Sequence, residues 1–271
     1  MTFTIILIYN KLKESSFDNI MNMKKVLFFL FSFVLITSNS FKLRDYPFNP
    51  KIHTFGNIGL KGKFHAKMAP YVTKLIDYAA YSNKNVRNEV YKSLIKDYPE
   101  HPYILDLCCG VGMSTPKHDK CIGIDTSNEM IEEAKYLNKK FKNNYFVGNA
   151  ENVHDTIDFK NEISDENFNG FDITTIFFGF HEIPQKARQD IILYNMKHTK
   201  DKIVIVDIDP NYTPSKMMLS GEPYLFDYKD HIKEDLYFAK EDTIVNNHVK
   251  MWTIDCRDHV ENLYDSKEIK E

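Results

Sequence analysis

Two stretches carry the residue types and spacings that could do chemistry. The first is "ILDLCCGVGMS" at residues 104–114, an apolar run holding Asp106 and leading through Cys108 and Cys109 to Gly110 and Gly112. A second apolar run, "CIGID", ends on Asp125. Glycines at such a place let the backbone turn sharply and approach a ligand that a Cβ would push away. A carboxylate ending the neighbouring strand can accept both hydroxyls of a ribose. Together they read as a nucleoside site. The other stretch is "FGFHEIP" at residues 178–184, which places His181 just past an apolar run, at the rim of the expected cleft. An imidazole with a near-neutral pKa could there take a proton from a hydroxyl or an acidic carbon. A plainer reading has His181 and Glu182 tie the loop and cap the next helix.

Which nucleoside fits depends on the residues after the glycines. A dinucleotide needs its pyrophosphate at the N-terminus of a real helix, with a third glycine for close packing. The third position is Thr115, followed by Pro116 and "KHDK", and only Cys109 to Lys120 separates the two strands. That leaves room for a turn of helix at most. S-adenosylmethionine carries no phosphate and asks only for backbone contacts to its amino-acid end and a grip on its ribose.

Composition sets outer limits. The chain has 271 residues, 43% of them hydrophobic and 27% charged, as in a soluble globular protein with a sizeable core. Lys+Arg 35 against Asp+Glu 38 leaves a net charge of -3, so no basic field points to nucleic acid. Cys108, Cys109, Cys121 and Cys256 form no C-x-x-C pair and no cluster with zinc-ligand spacing, so no metal is implied. They read as small packing residues in a reduced compartment.

Residues 1–40 stand apart. From Met23 the chain reads "MKKVLFFLFSFVLITSNSF", two lysines and an apolar run over Val26 to Ile36, then Ser38 and Ser40. This is the layout of a cleavable secretory signal peptide, and the run is short for a membrane span. The "SNSF" junction resembles the cleavage motif of proteins sent to the complex plastid of algae with secondary chloroplasts. The alternatives are a cytoplasmic protein or one anchored in a membrane by residues 26–36.

The remaining chain divides into an extension with lid helices at 41–102, an α/β domain at 103–260 and a polar tail at 261–271. Helices are predicted over Ala66–Tyr81 and Val86–Tyr98 from their apolar faces. Strands are predicted at Tyr103–Cys108, Cys121–Asp125, Tyr145–Val147, Ile173–Phe178 and Ile203–Asp207, alternating with helical segments as in a parallel βαβ sheet. The helix after Asp125 is given a capping box of Thr126 and Glu129, and a buried stripe of Met130, Ala134, Leu137 and Phe141. A helix over Gln185–Lys200 starts at Pro184, with Arg188 as a surface ion-pair former. After a helix near Tyr228–Tyr237, strands Asp242–Val245 and Val249–Asp255 form an antiparallel hairpin through Asn246 and Asn247. Tyr212, Met217, Met218 and Tyr224 join the helical preface as an apolar lid, which suits an organic or lipid-like partner.

In that order, "ILDLCCGVGMS", "IGIDTSNEMIEEAK", "FVGNAEN", "FDITTIFFGFHEIPQKARQDII" and "IVIVDIDP" resemble the class I S-adenosylmethionine-dependent methyltransferases over about residues 103–210. The resemblance implies a Rossmann-like, doubly wound, mostly parallel seven-stranded sheet with a C-terminal antiparallel hairpin and an N-terminal helical lid. It assigns Asp106, Gly110 and Gly112 to the methionine-binding loop, with Cys108 where a first glycine is usual. Asp125 would hold the ribose and Met130 flank the adenine, whose edge Asn149 and Ala150 would meet, with Asn149 replacing the usual aspartate. Read from its position alone, Phe178 is core or pocket wall, though an aromatic there can flank a methyl donor. The implied activity is methyl transfer to a small organic or lipid-like acceptor by in-line displacement, which calls for no metal. The "HE-x-P…R" block resembles that of quinone- and lipid-directed members, consistent with peripheral membrane contact. A non-catalytic nucleoside-binding protein and an NAD-dependent oxidoreductase are the other classes left open.

Overall fold

The computed structural model describes residues 59–257. The leader at 1–40, the start of the extension and the tail at 261–271 lie outside the described residues. Among those described, no helix is long and apolar enough to cross a membrane.

Seven strands form one sheet: β1 (Ile104–Leu107), β2 (Cys121–Asp125), β3 (Tyr145–Val147), β4 (Phe171–Phe177), β5 (Thr199–Ile208), β6 (Lys240–Val245) and β7 (Val249–Asp255). Their spatial order is β3-β2-β1-β4-β5-β7-β6. The first five run parallel, whereas β7 lies antiparallel to β5 and carries β6 on its outer edge. The order reverses between β1 and β4, and in an open sheet of this kind ligands bind beyond the carboxyl ends of the strands at that point. This is the doubly wound sheet with a terminal hairpin that the sequence predicts.

Strand alternation divides the core between two faces. Leu105, Leu107, Ile122, Ile124, Ile203 and Ile205 point one way, against Ile191 and Ile192 of α6 (Gln185–Met196) and Leu225, Tyr228 and Ile232 of α8 (Leu225–Asp235). Ile104, Cys121, Ile173, Val204 and Val206 point the other way, against Val86, Val90 and Leu94 of α2 (Val86–Ile95). At the β3 side of the sheet, Ile131 and Ala134 of α3 (Asn128–Leu137) cover Cys109 and Tyr145. Between β3 and β4 the chain makes the single-turn helices α4 (Val153–Thr156) and α5 (Phe159–Glu162).

The helices depart from expectation in informative ways. The first, α1 (Gly59–Ala80), begins before Ala66 and carries Pro70 within it. Its small buried residues Gly62 and Ala66 let it lie on α3, and the Gly59 N–H donates to Glu129 Oε1 at 2.6 Å. Tertiary contact thus sets this helix where Gly and Pro mark a boundary by rule. The cap of α3 is Ser127 rather than Thr126: its hydroxyl accepts the Met130 N–H at 3.2 Å. Leu137 is exposed and Phe141 falls in the following 3-10 segment, so Ile131 takes the buried place expected of Leu137. Finally, α6 stops at Met196 because Thr199 already belongs to β5, where its hydroxyl meets Thr174 Oγ1 at 2.6 Å.

Candidate functional site

The bend after β1 is made of turns only; no helix lies between Leu107 and Cys121. Cys108 and Gly110 have φ of 54° and 53°, a left-handed region costly for a residue with a Cβ. Gly110 donates its N–H to Asp125 Oδ2 at 2.9 Å, while Asp125 Oδ1 accepts the Ser127 N–H at 2.9 Å. The half-buried carboxylate thus faces the bend and fixes the start of α3. A Cβ added at Gly110 would meet nothing within 4 Å, so the space in front of this peptide is open.

Asp106 sits beneath the bend, 0% exposed, and accepts hydroxyls from Thr115 at 2.7 Å, Ser114 at 2.8 Å and Thr175 at 2.9 Å. Burial raises the pKa of its carboxyl, which the hydroxyls oppose. Asp106 therefore holds the loop and does not face the cleft. Gly112 likewise serves packing: at φ 71°, a Cβ there would lie 2.6 Å from Tyr145 Cε1. Lys117 clamps the same corner, donating to Gly112 O at 2.5 Å and Tyr145 Oη at 3.1 Å. Burial pushes the Cys108 and Cys109 thiols well above their ordinary pKa, so both stay protonated and unreactive, as packing residues would.

Met130 packs with Ala66 of α1 and Val111 of the bend, which brings the lid helix over this corner. Asn149 turns to Glu151, accepting its N–H at 3.2 Å and donating to Glu151 Oε2 at 3.0 Å. Ala150 is buried, and its carbonyl accepts Asn195 Nδ2 at 2.9 Å. Phe178, at φ 55°, lies under the Arg87 guanidinium at 4.6 Å and beside the Tyr81 ring at 6.3 Å. Thus Cys108, Gly110, Asp125 and Met130 gather at the bend. Phe178 faces the lid helices, and Asp106 and Gly112 support the bend from below.

The loop after β4 touches the bend directly, since a Cβ at Gly179 would stand 3.0 Å from Cys108 Cβ. His181, 7% exposed, donates from Nδ1 to Asp207 Oδ1 at 2.6 Å. Asp207, next to last in β5, also accepts the N–H groups of Phe180 at 2.8 Å, His181 at 3.3 Å and Ile208 at 2.7 Å. Burial opposes charge on the ring, but the ionised Asp207 outweighs it and raises the His181 pKa to about 10. The near-neutral base of the sequence reading is therefore corrected: the Asp207 carboxylate makes the His181 ring hold its proton more firmly than a free imidazole does. Asp207, its orienting partner, enters the sequence reading only as the last residue of the predicted strand Ile203–Asp207.

Arg188 is corrected more strongly, from a surface residue to one 0% exposed. Its Nε donates to Asp235 Oδ2 at 2.8 Å, and its Nη1 to Asp227 Oδ2 at 2.9 Å and Ile183 O at 2.8 Å. The guanidinium ties the histidine loop to α8, and no periodicity in the sequence announces it.

No family model matches the chain, and no curated protein matches it. Among solved structures the chain is similar to the magnesium protoporphyrin IX methyltransferase (ChlM) of Synechocystis PCC 6803 with bound SAM. There the identity is 12%, the match covers 78% of this chain and 99% of that one, and the TM-score is 0.49. It is also similar to the plantazolicin methyltransferase BamL, solved with a desmethylPZN analog and SAH, at 18% identity, 72% and 95% coverage and a TM-score of 0.45. A third is a putative O-methyltransferase from Nostoc punctiforme PCC 73102, at 15% identity, 72% and 60% coverage and a TM-score of 0.47.

Proposed function

We propose that this chain is an S-adenosylmethionine-dependent methyltransferase acting on a small organic or lipid-like acceptor. The observation that carries the reading is the bend itself. Gly110 presents an open peptide face while its N–H holds Asp125 against the same corner. This supports a grip on an adenosyl group by main chain and one carboxylate, and the crossover offers no helix N-terminus to take a pyrophosphate. Met130 and Val111, under α1, supply apolar wall for the adenine.

Methyl transfer from a sulfonium depends mostly on holding donor and acceptor in line. The acceptor side is the loop after β4, where His181 is fixed by Asp207 with Nε2 directed away from it. In the charged ring, that Nε2–H holds an acceptor oxygen by a charge-assisted hydrogen bond. Phe178 and Tyr81 provide an aromatic wall nearby.

The test substitutes the bend. Gly110→Val places a branched side chain at φ 53° in the open space, so S-adenosylmethionine binding should fall at least about a hundredfold while the fold survives with a loss of roughly 1–2 kcal/mol. Calorimetry and circular dichroism read the two effects; unchanged affinity would count against the assignment. Methylation of candidate phenols, quinones and lipids by wild type separates an enzyme from a plain nucleoside binder.

A further inference from the structure

The spacing of cysteine and histidine in the sequence implies no metal, yet the fold gathers a ligand set that spacing does not reveal. A ring nitrogen of His181, a carboxylate oxygen of Glu182 and one of Glu222 all lie within 4.8 Å of one another, with Nε2 4.0 Å from Glu182 Oε1. His181 and Glu182 come from the loop after β4, and Glu222 follows the short helix α7 (Lys216–Gly221). We propose that these three side chains bind a divalent first-row transition metal ion on the acceptor side of the cleft.

Three observations support it. The His181 side chain is nine-tenths buried, and among the described residues only its Nδ1 makes a hydrogen bond, with the Glu182 carboxylate oxygen 4.0 Å from Nε2. Asp207 takes the Nδ1–H at 2.6 Å and is itself pinned by the N–H groups of Phe180, His181 and Ile208. That is the carboxylate–histidine arrangement which orients an imidazole and directs its other nitrogen to a metal. The ligands are one imidazole and two carboxylates, a set that suits zinc, manganese, iron or cobalt better than magnesium. Their charges add up to what a dication neutralises. Ligand oxygens and nitrogens about 2.0–2.2 Å from a metal stand about 3–4 Å apart, so the two half-buried glutamates would exchange present interactions for the ion as they close on it. Three protein ligands leave coordination positions open toward the cleft. The ion would take Nε2 in place of its proton, so a polar oxygen of the acceptor would bind an open position of the metal and not the Nε2–H of the metal-free ring; the inference rests on the acceptor side of the proposed methyl transfer.

Full-length chain freed of metal by a chelator is titrated with Zn²⁺ by calorimetry and with Co²⁺ by visible absorption. The expected result is one ion per chain, with Glu222→Gln and His181→Gln each weakening Zn²⁺ binding about tenfold or more and abolishing the Co²⁺ band. The Glu222→Gln side chain is half-buried and decides the matter even if His181→Gln fails to fold. Absence of Zn²⁺ binding overturns the inference. So does binding that both variants retain, which would place the ion elsewhere on the chain. S-adenosylmethionine is titrated into the same samples: if it binds and Zn²⁺ does not, only the metal site is lost, whereas if Zn²⁺ binds and S-adenosylmethionine does not, only the methyl-transfer reading is defeated.

Discussion

The two sides of the cleft are built by different means. Beside β1 and β2 the working groups are main chain plus one carboxylate: the Gly110 peptide, the Asp125 side chain and the Ser127 N–H, all within a short stretch of sequence. Beyond β4 and β5 they are side chains assembled from afar, with His181 on Asp207 and Arg188 on Asp227 and Asp235. The first side is shaped by backbone conformation, and the second is held by buried charge. Main-chain sites change little with side-chain identity, so the first suits an invariant ligand, whereas the second can be retuned for different partners.

The largest difference should appear when a buried charge is removed. Arg188→Ala leaves Asp235 buried without its cation and cuts the link between the histidine loop and α8, so stability should fall by about 3–5 kcal/mol in urea unfolding. Wild-type stability would show that the acceptor side is held by apolar packing instead.

Next in size is the contrast within the glycine pair. At Gly112, alanine puts a methyl group 2.6 Å from the Tyr145 ring at φ 71°, so Gly112→Ala should cost roughly 2–4 kcal/mol in stability. It acts on the fold, whereas Gly110→Val acts on binding. Equal loss of stability in both would erase the distinction between a supporting glycine and one that faces the ligand.

A smaller effect belongs to His154, at the opposite end of the sheet, where the buried charge is one the fold refuses. Burial, then the neighbouring His198, lowers its pKa to about 4. The unfolded chain takes up this proton near pH 6.5 and the folded chain only near 4, so stability is full above pH 6.5 and declines as pH falls between them. Allowing for partial exposure, the loss should be on the order of 1–2 kcal/mol. His154→Phe should flatten that limb of the pH–stability curve, and an unchanged slope would assign it to other groups.

The same contrast explains which features are legible in the sequence. Apolar runs and turn residues place β2, β3 and β7 to the residue, and the alternation of strands and helices yields the doubly wound sheet. The bend and its carboxylate are legible because their chemistry is local. Asp106 and Gly112 carry the same signal as Gly110 and Asp125, but their surroundings differ: three hydroxyls close over one carboxylate and a tyrosine ring fills the space at one glycine. Only the fold distinguishes them. Arg188 looks like a surface residue because α6 is polar on average, and its burial depends on two aspartates contributed by α8. Glu222 and Asp207 join His181 through chain crossovers that no periodicity encodes. The start of α3 at Ser127 is a nearer miss, since two adjacent hydroxyl residues compete for the cap and the Asp125 carboxylate selects the second.

The central claim is that the bend accepts an adenosyl group bearing no phosphates. Calorimetric titration of the full-length chain with S-adenosylmethionine and, separately, with NAD⁺ tests it most directly. The account expects saturable binding of one S-adenosylmethionine per chain and no heat of binding from NAD⁺. Saturation by NAD⁺, or no response to S-adenosylmethionine, would contradict it.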